Sequence, residues 1–346
     1  MAFVGMMLAS CASVGPPTIT RDRFDYVSSI SDSWKRQMLL NLMKVRYADV
    51  PVFMDVSSVI SAYSLETDVS VAGQYAPPGR GDTFGGVGAT GRYADKPTIS
   101  YQPLTGDKFA KSMMAPIPVA GVLYLIQSGY PADLVMRVCV SSINGLENAY
   151  GGPGNPRAGD PKYRELMDAL RESQSTGDTG FRVKPVNDKQ AIVMFMRPPN
   201  EQPSVSSRRM RELLGLNAKA REFNVVYGTF PENDTEIAMM TRSILQVMVD
   251  FASHVEVPQV DVAEGRVYSP RRTAEQENLF PPLLVVRHGI AAPDDAYVAI
   301  RYRNQWFWID DRDQKSKIAM TFLMLAFSLT EGAPAQAAPV VTIPAR

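Results

Sequence analysis

Apolar residues recur at helical spacing from Ser31 to Ala48, where Trp34, Met38, Leu42 and Val45 form one stripe. That spacing predicts a helix whose apolar face is core rather than a ligand face. Ser31 or Ser33 can cap its start, and Pro51 ends it. From Val52 the period changes to two. Val52, Met54 and Val56 share one parity. After Ser57-Ser58 the phase shifts, and Val59, Tyr63, Leu65, Val69, Val71 and Tyr75 take the other parity, alternating with Ser64, Glu66, Asp68, Ser70 and Gln74. A phase shift inside a strand marks a bulge or bend. The stretch is far longer than the usual strand of ~5–6 residues, so it must bend, break or project. Pro77 to Asp82 is a polar turn, Phe84 to Tyr93 a glycine-rich return arm, and Pro97 to Leu104 a further extended piece. A long projecting β-hairpin over Ala62 to Tyr101 is the expectation.

The rest of the chain alternates helix and strand signals. Thr105 to Met114 and Pro118 to Gln127 predict short helices, the second stopped by Gly129. Pro131 to Ile143 is apolar and fits helix or strand, and Asn144-Gly145 turns it. Ala149 to Gly159, rich in Gly and Pro, is a candidate boundary. Asp160-Pro161 opens a helix carrying Tyr163, Leu166, Met167 and Leu170 on one face. Phe181 to Val186 and Gln190 to Arg197 flank Asn187-Asp188 as a hairpin. Ser206 to Leu214 predicts a helix with Arg208, Arg209 and Arg211 outward. Phe223 to Thr229 predicts a strand. Asn233 and Glu236 suggest a cap before a long helix through His254, striped by Ile237, Met240, Ile244, Met248 and Phe251. Leu283 to Arg287, Tyr297 to Arg303 and Trp306 to Ile309 read as strands, the last two joined at Asn304-Gln305. Asp310, Asp311 or Asp313 caps a helix from Ile318 to Leu329. The expected fold class is α+β, with a mixed or antiparallel sheet, packed helices and the projecting hairpin. The expected organisation is a signal at 1–11, a tether at 12–24, α+β regions at 25–148 and 160–332, and a Pro/Ala-rich tail at 333–346.

Composition narrows the function classes. Lys plus Arg and Asp plus Glu each number 36. That balance argues against a nucleic-acid binder, which shows a basic excess. No run reaches the ~18 apolar residues of a membrane helix. There are two cysteines, Cys11 and Cys139, so the chain is no disulfide scaffold. Cys139 sits in an apolar run as a small buried hydrophobe.

Met1 to Cys11 is an apolar run ending in Leu8-Ala9-Ser10-Cys11. It resembles the lipobox of bacterial lipoproteins, in which the cysteine is lipidated and becomes the mature N-terminus. The resemblance implies an acylated Cys11 and, because Ala12 rather than Asp follows it, export to the outer membrane. The departure from the pattern is a missing basic segment, since the first Arg or Lys is Arg21; a start codon placed too far downstream explains it. The alternative is an apolar N-terminus with a chance cysteine. Leu39 to Tyr47, Tyr63 to Glu66, Pro97 to Gly106 and Trp306 to Asp311 resemble phrases of uncharacterised predicted lipoproteins of proteobacteria. That likeness runs from about Asp25 to Gly332. It implies an envelope location and no activity.

Chemistry-bearing motifs are few. Gly86-Val-Gly-Ala-Thr-Gly91 matches the dinucleotide fingerprint, but an extended segment follows where a helix is required. Arg80-Gly81-Asp82 is turn chemistry. His254 and His288 have no partners at metal spacing. Asp310, Asp311 and Asp313 beside Trp306 and Trp308 could hold a cation or sugar, but helix capping accounts for them better. The reading is a membrane-anchored envelope lipoprotein of the outer membrane, a binding or assembly component without catalysis, cofactor or metal. A protein partner or homo-oligomer is expected, and no nucleic acid. Its candidate residues are Cys11 for the lipid and Tyr63, Leu65, Val69, Val71, Tyr75, Phe84 and Tyr93 for assembly. Two rivals are an oligomeric outer-membrane pore or secretion component built from one β-hairpin per chain, and an enzyme on an envelope polymer using the 306–313 region.

Overall fold

The computed structural model describes residues 15–330 apart from 61–62, 75–83, 96–97, 154–155, 187–188, 197–203 and 269–272. The fold is α+β, with helices packed on mixed and antiparallel sheets. It divides into two compact units. Unit 1 holds the chain to Trp34 together with Val52–Leu104, and unit 2 holds Lys35–Pro51 and Thr105–Arg346.

Unit 1 contains the first half of α1 (Gly15–Arg46) and four strands. Helix α1 begins earlier than the Ser31 start expected, so a helix replaces the extended tether from Gly15 on. Pro16 and Pro17 permit this because the first turn needs no backbone N–H donors. β1 (Phe53–Ile60) pairs antiparallel with β4 (Thr98–Leu104), and β2 (Tyr63–Gln74) with β3 (Phe84–Asp95). Both are two-stranded sheets.

Unit 2 is built on a six-stranded sheet. Between Leu104 and that sheet run α2 (Asp107–Met114) and α3 (Val119–Gln127). The apolar run from Pro131 resolves into both of its readings, α4 (Ala132–Cys139) and β5 (Val140–Ile143). Asn144 and Gly145 then turn the chain with φ of 47° and 81° into β6 (Leu146–Glu147). Helix α5 (Pro161–Thr176) starts as its sequence dictates: Asp160 accepts from the Lys162 N–H at 2.8 Å, Pro161 follows, and Gly177 closes it at φ 69°. β7 (Thr179–Val186), β8 (Lys189–Met196), α6 (Val205–Leu214), β9 (Glu222–Tyr227) and β10 (Glu236–Thr241) come next. The strand order is β6-β5-β10-β9-β8-β7, with β9 and β10 parallel and the other neighbours antiparallel. Leu166, Leu170 and Met210 of the helices meet Ile143, Met194 and Met239 of the sheet around a small apolar space. This is the main core.

The expected boundary at Ala149 to Gly159 does not divide the protein, because β5 and β6 before it lie in one sheet with β7 to β10 after it. The long helix expected from Asn233 is also corrected. Ile237, Ala238 and Met239 are buried consecutively in β10. A strand covered on both faces shows no alternation, so its apolar run imitates a helix stripe. The helix proper, α7 (Ile244–Ser253), begins only after Ser243, whose side chain and that of Gln246 form a capping box.

α8 (Gln259–Ala263) and α9 (Ala274–Leu279) lead to a three-stranded sheet. Its order is β11 (Arg287–Gly289), β13 (Gln305–Asp310), β12 (Ala296–Tyr302). The strand expected over Leu283 to Arg287 starts only at Arg287, because the Val285 N–H donates to Ser316 Oγ at 2.8 Å instead of to a ladder. β12 and β13 are joined by Arg303 and Asn304, both at positive φ. α10 (Gln314–Thr330) packs on α7 and β13. No described helix is long and apolar enough to cross a membrane.

Candidate functional site: a two-faced β-ribbon

The backbone register brings the expected assembly residues together. In β2 and β3, Tyr63 lies opposite Asp95, Leu65 opposite Tyr93, Val69 opposite Ala89 and Val71 opposite Val87. Opposite residues of an antiparallel pair share a face. Tyr63, Leu65, Val69, Val71 and Tyr93 therefore fall on one face, as their parity suggests. Phe84 does not join them. It pairs with Gln74 on the other face, with Ser64, Glu66, Asp68 and Ser70. The glycine-rich count of the return arm hid this, because the register could not be read from that arm alone. Tyr75, the expected turn at Pro77 to Asp82 with Arg80-Gly81-Asp82, and Cys11 lie outside the described residues.

The lower sheet extends the same pattern. Ile60 lies opposite Thr98, and three residues on Tyr63 lies opposite Asp95, so both sheets keep one register. Between Val56 and Ser58 the register shifts, leaving Ser57 as the extra residue of a bulge. Ser57 Oγ donates to the Ser100 carbonyl across the bulge at 3.1 Å. Val56 lies opposite Tyr101 and Val59 opposite Ile99. Since Tyr101 and Ile99 are two residues apart on one strand, Val56 and Val59 share a face despite their odd separation. The bulge therefore carries one apolar face from Met54 and Val56 through Val59, Tyr63, Leu65, Val69 and Val71. Sequence reasoning found the phase shift but missed that it joins the two apolar sets. The signal was present: the return arm keeps Val87, Ala89, Tyr93, Ile99 and Tyr101 on one parity throughout.

The lower stretch is open to solvent on both faces. Met54, Ile99 and Tyr101 are exposed by 45%, 41% and 57% on the apolar face, and Asp55 and Gln102 are exposed on the other. Ser70, Gly88 and Thr90 are exposed further along. The outgoing arm carries Asp55, Glu66 and Asp68 and no base, while the return arm carries Arg92, opposite Glu66, and one acid, Asp95, opposite Tyr63. Among the unit 1 side chains whose burial is described, Phe53 is the fully buried hydrophobe; the other buried hydrophobes described belong to unit 2. Exposed Phe24, Val27 and Ile30 add an apolar stripe on α1.

Other candidates resolve into structure. Asp313 is the cap of α10, accepting from Ser316 N–H at 3.1 Å and from Ser316 Oγ at 2.6 Å. Asp311 pairs with Lys317 at 2.7 Å, and Asp310 accepts from the Arg312 N–H at 2.9 Å. Phe307 and Ile309 are buried while Trp306 and Trp308 are half-buried on the other face of β13. His254 is the C-cap of α7, and His288 lies on β11. Among the described residues no group of three His, Cys, Asp or Glu side chains could hold a metal ion. Gly86 to Gly91 lies wholly within β3, without the helix that a phosphate site requires. Cys139 is buried, and burial pushes its thiol up to about 12, so it is no nucleophile.

Two arginines were not foreseen as structural. Arg211, expected outward, is buried, donating at 2.8 Å to the carbonyls of Asn217 and Ala220 and stacking on Phe223. It holds the loop leading to β9. Arg242 is fully buried between β10 and α7, paired with Asp250 at 3.1 Å and donating to the Ala149 carbonyl. Arg242 also donates to the Arg137 carbonyl at 3.3 Å, and burial lowers the guanidinium of Arg137 to about 10, still charged at neutral pH. An open groove of about 460 Å³ at the β7 edge is lined by Phe181, Arg182 and Phe195, with Arg182 stacked on Phe195. Asp178 and Thr179 also line it, and Thr179 Oγ1 accepts from Ser173 Oγ at 3.0 Å. No family model, no curated protein and no solved structure matches this chain.

Proposed function

We propose that this chain is a lipid-anchored component of the bacterial outer membrane that binds or assembles through the ribbon at 53–104, without catalysis of its own. One observation carries the reading. The ribbon is two-stranded, and among its side chains whose burial is described most are exposed on both faces and Phe53 is the buried hydrophobe. An isolated two-stranded ribbon is marginal in water. Free edges present unpaired backbone groups that natural proteins cover, charge or shorten. A ribbon of this length with an apolar face is worth keeping only if it meets something outside its own unit, as a projecting hairpin would. The lipid anchor supports the reading from the sequence side, through Leu8-Ala9-Ser10-Cys11. Two acyl chains give stable anchoring where one gives only marginal binding.

The test uses the chain expressed in a bacterial host that exports and lipidates its own lipoproteins. Wild type is expected in the membrane fraction with a diacylglyceryl mass on Cys11, and Cys11→Ser is expected in the soluble fraction. A variant that stays in the membrane, together with a wild type free of lipid, would sink the anchoring. The exposed apolar face of the ribbon favours assembly over the rival reading as an enzyme at 306–313, where the three aspartates are occupied by capping and pairing.

A further inference from the structure

We infer that the ribbon's partner is the ribbon of a second copy of this chain, and that several copies close into a β-barrel with the apolar face toward lipid and the polar face toward a water-filled lumen. This rests on the assembly reading above. Three features select the second copy. The first is edge chemistry. Each ribbon offers one outgoing-arm edge and one return-arm edge, and antiparallel pairing of unlike edges simply continues the alternation within the ribbon. The second is charge. Outgoing arms placed together would set Asp55, Glu66 and Asp68 against their own kind. An outgoing arm beside a neighbour's return arm instead meets Arg92, as it already does within one chain. Like charges opposite each other destabilise a pair and unlike charges stabilise it. The favoured contact is therefore head to tail, and head-to-tail contacts do not stop at dimers: they close into a ring where the rotation between copies closes and run on as a filament where it does not.

The third feature is the face pattern. Tyr63, Leu65, Thr67, Val69 and Val71 with Val87, Ala89 and Tyr93 form one mainly apolar face, with Asp95 at its border opposite Tyr63, and Ser64, Glu66, Asp68 and Ser70 with Arg92 and Thr90 form the other. A membrane barrel alternates apolar-out and polar-in over an apolar band ~25 Å tall, with aromatics at its border. The nine residues from Tyr63 to Val71 meet the lower end of the ~9–11 residues that a tilted membrane strand needs, and β2 runs three residues further, to Gln74. Tyr63 and Tyr93 stand at the lower border. A single ribbon could not enter lipid, because its edges would leave backbone groups unpaired; a closed ring removes them. The smallest closed barrels have ~8 strands, so at least about four copies are needed. The glycines of the return arm, sparse in lipid contact, are suited to the curvature that closure demands.

The experiment uses the full lipidated chain in detergent and then in planar bilayers. Wild type is expected as a high-mass ring that gives discrete conductance steps. Ser70→Lys, on the polar face but outside the charged set, should shift ion selectivity toward anions without abolishing the steps, a change that a role in folding alone would not produce. Glu66→Arg and Arg92→Glu should each reduce the high-mass species at least several-fold, and the double exchange should restore it. A chain that carries its lipid and stays in the membrane, yet is monomeric and silent in bilayers, overturns the ring and leaves the anchoring reading intact. Loss of the lipid and of membrane association overturns the anchoring reading itself. Conductance whose selectivity ignores Ser70→Lys also overturns the inference, because the polar face would not line the path.

Discussion

Asp313 illustrates how one side chain settles between two chemistries. Its two carboxylate oxygens are taken by the backbone and hydroxyl of Ser316, which places it at the mouth of α10 and removes it from any ligand set. Replacing it by Ala should cost ~0.5–2 kcal/mol, the usual loss of an N-cap. Asp311 holds an exposed pair with Lys317, and such pairs contribute ~0–1 kcal/mol. Thermal unfolding of Asp313→Ala and Asp311→Asn should therefore separate, with the first clearly lowered and the second near wild type. Tight calcium binding lost in Asp311→Asn would contradict this assignment. Arg242 shows the opposite case, a charge with no access to water that is held by Asp250 and the Ala149 carbonyl. Removing one partner of a buried pair leaves an uncompensated charge, at a cost of ~3–5 kcal/mol. Arg242→Ala should lower the unfolding midpoint well beyond either aspartate variant.

Among the elements, the bulge at Ser57 decides which residues act together. Strand side chains alternate with period two, so one inserted residue exchanges the faces. Ser57 places Met54 and Val56 on the face of Val59 and Leu65. Deleting Ser57 should restore a regular ladder and move Met54 and Val56 to the polar face. The high-mass species should then fall sharply, while Ser57→Gly, which keeps the residue count, should retain it. Equal yields from the deletion and from Ser57→Gly would show that the continuous apolar face has no part in assembly. The capping box before α7 works by the same local logic. Ser243 and Gln246 satisfy each other's backbone donors and stop β10 from being read on into the helix.

At the scale of the molecule, burial is distributed unevenly. Apart from Phe53, the fully buried hydrophobic side chains among those whose burial is described lie in unit 2. Unit 2 should therefore keep its stability when the ribbon is shortened. Joining Ser64 to Ala94 by a two-residue Asn-Gly turn keeps β1 paired with β4, because those residues already lie opposite each other. The midpoint of this variant should stay within roughly 2–4 °C of wild type, the shift that ~1 kcal/mol produces in a chain of this size, while any high-mass species disappears. A cooperative fall in stability with unchanged oligomeric state would instead make the ribbon part of the core.

The sequence determined the local features that depend on near neighbours. Asp160-Pro161, the α10 cap, Asn144-Gly145 and the period-two face of β2 were all legible, because capping, turn chemistry and alternation act over a few residues. It also showed the phase shift at Ser57. The tertiary structure alone decided what depended on distant partners. Whether 236–241 is strand or helix followed from its parallel neighbour β9, since a fully buried run carries no period of its own. The buried state of Arg211 followed from carbonyls six and nine residues away that only the folded loop presents. The placement of Phe84 opposite Gln74, and the joining of Met54 to Leu65 across a bulge, followed from register. Register is a relation between two strands, and neither strand contains it by itself.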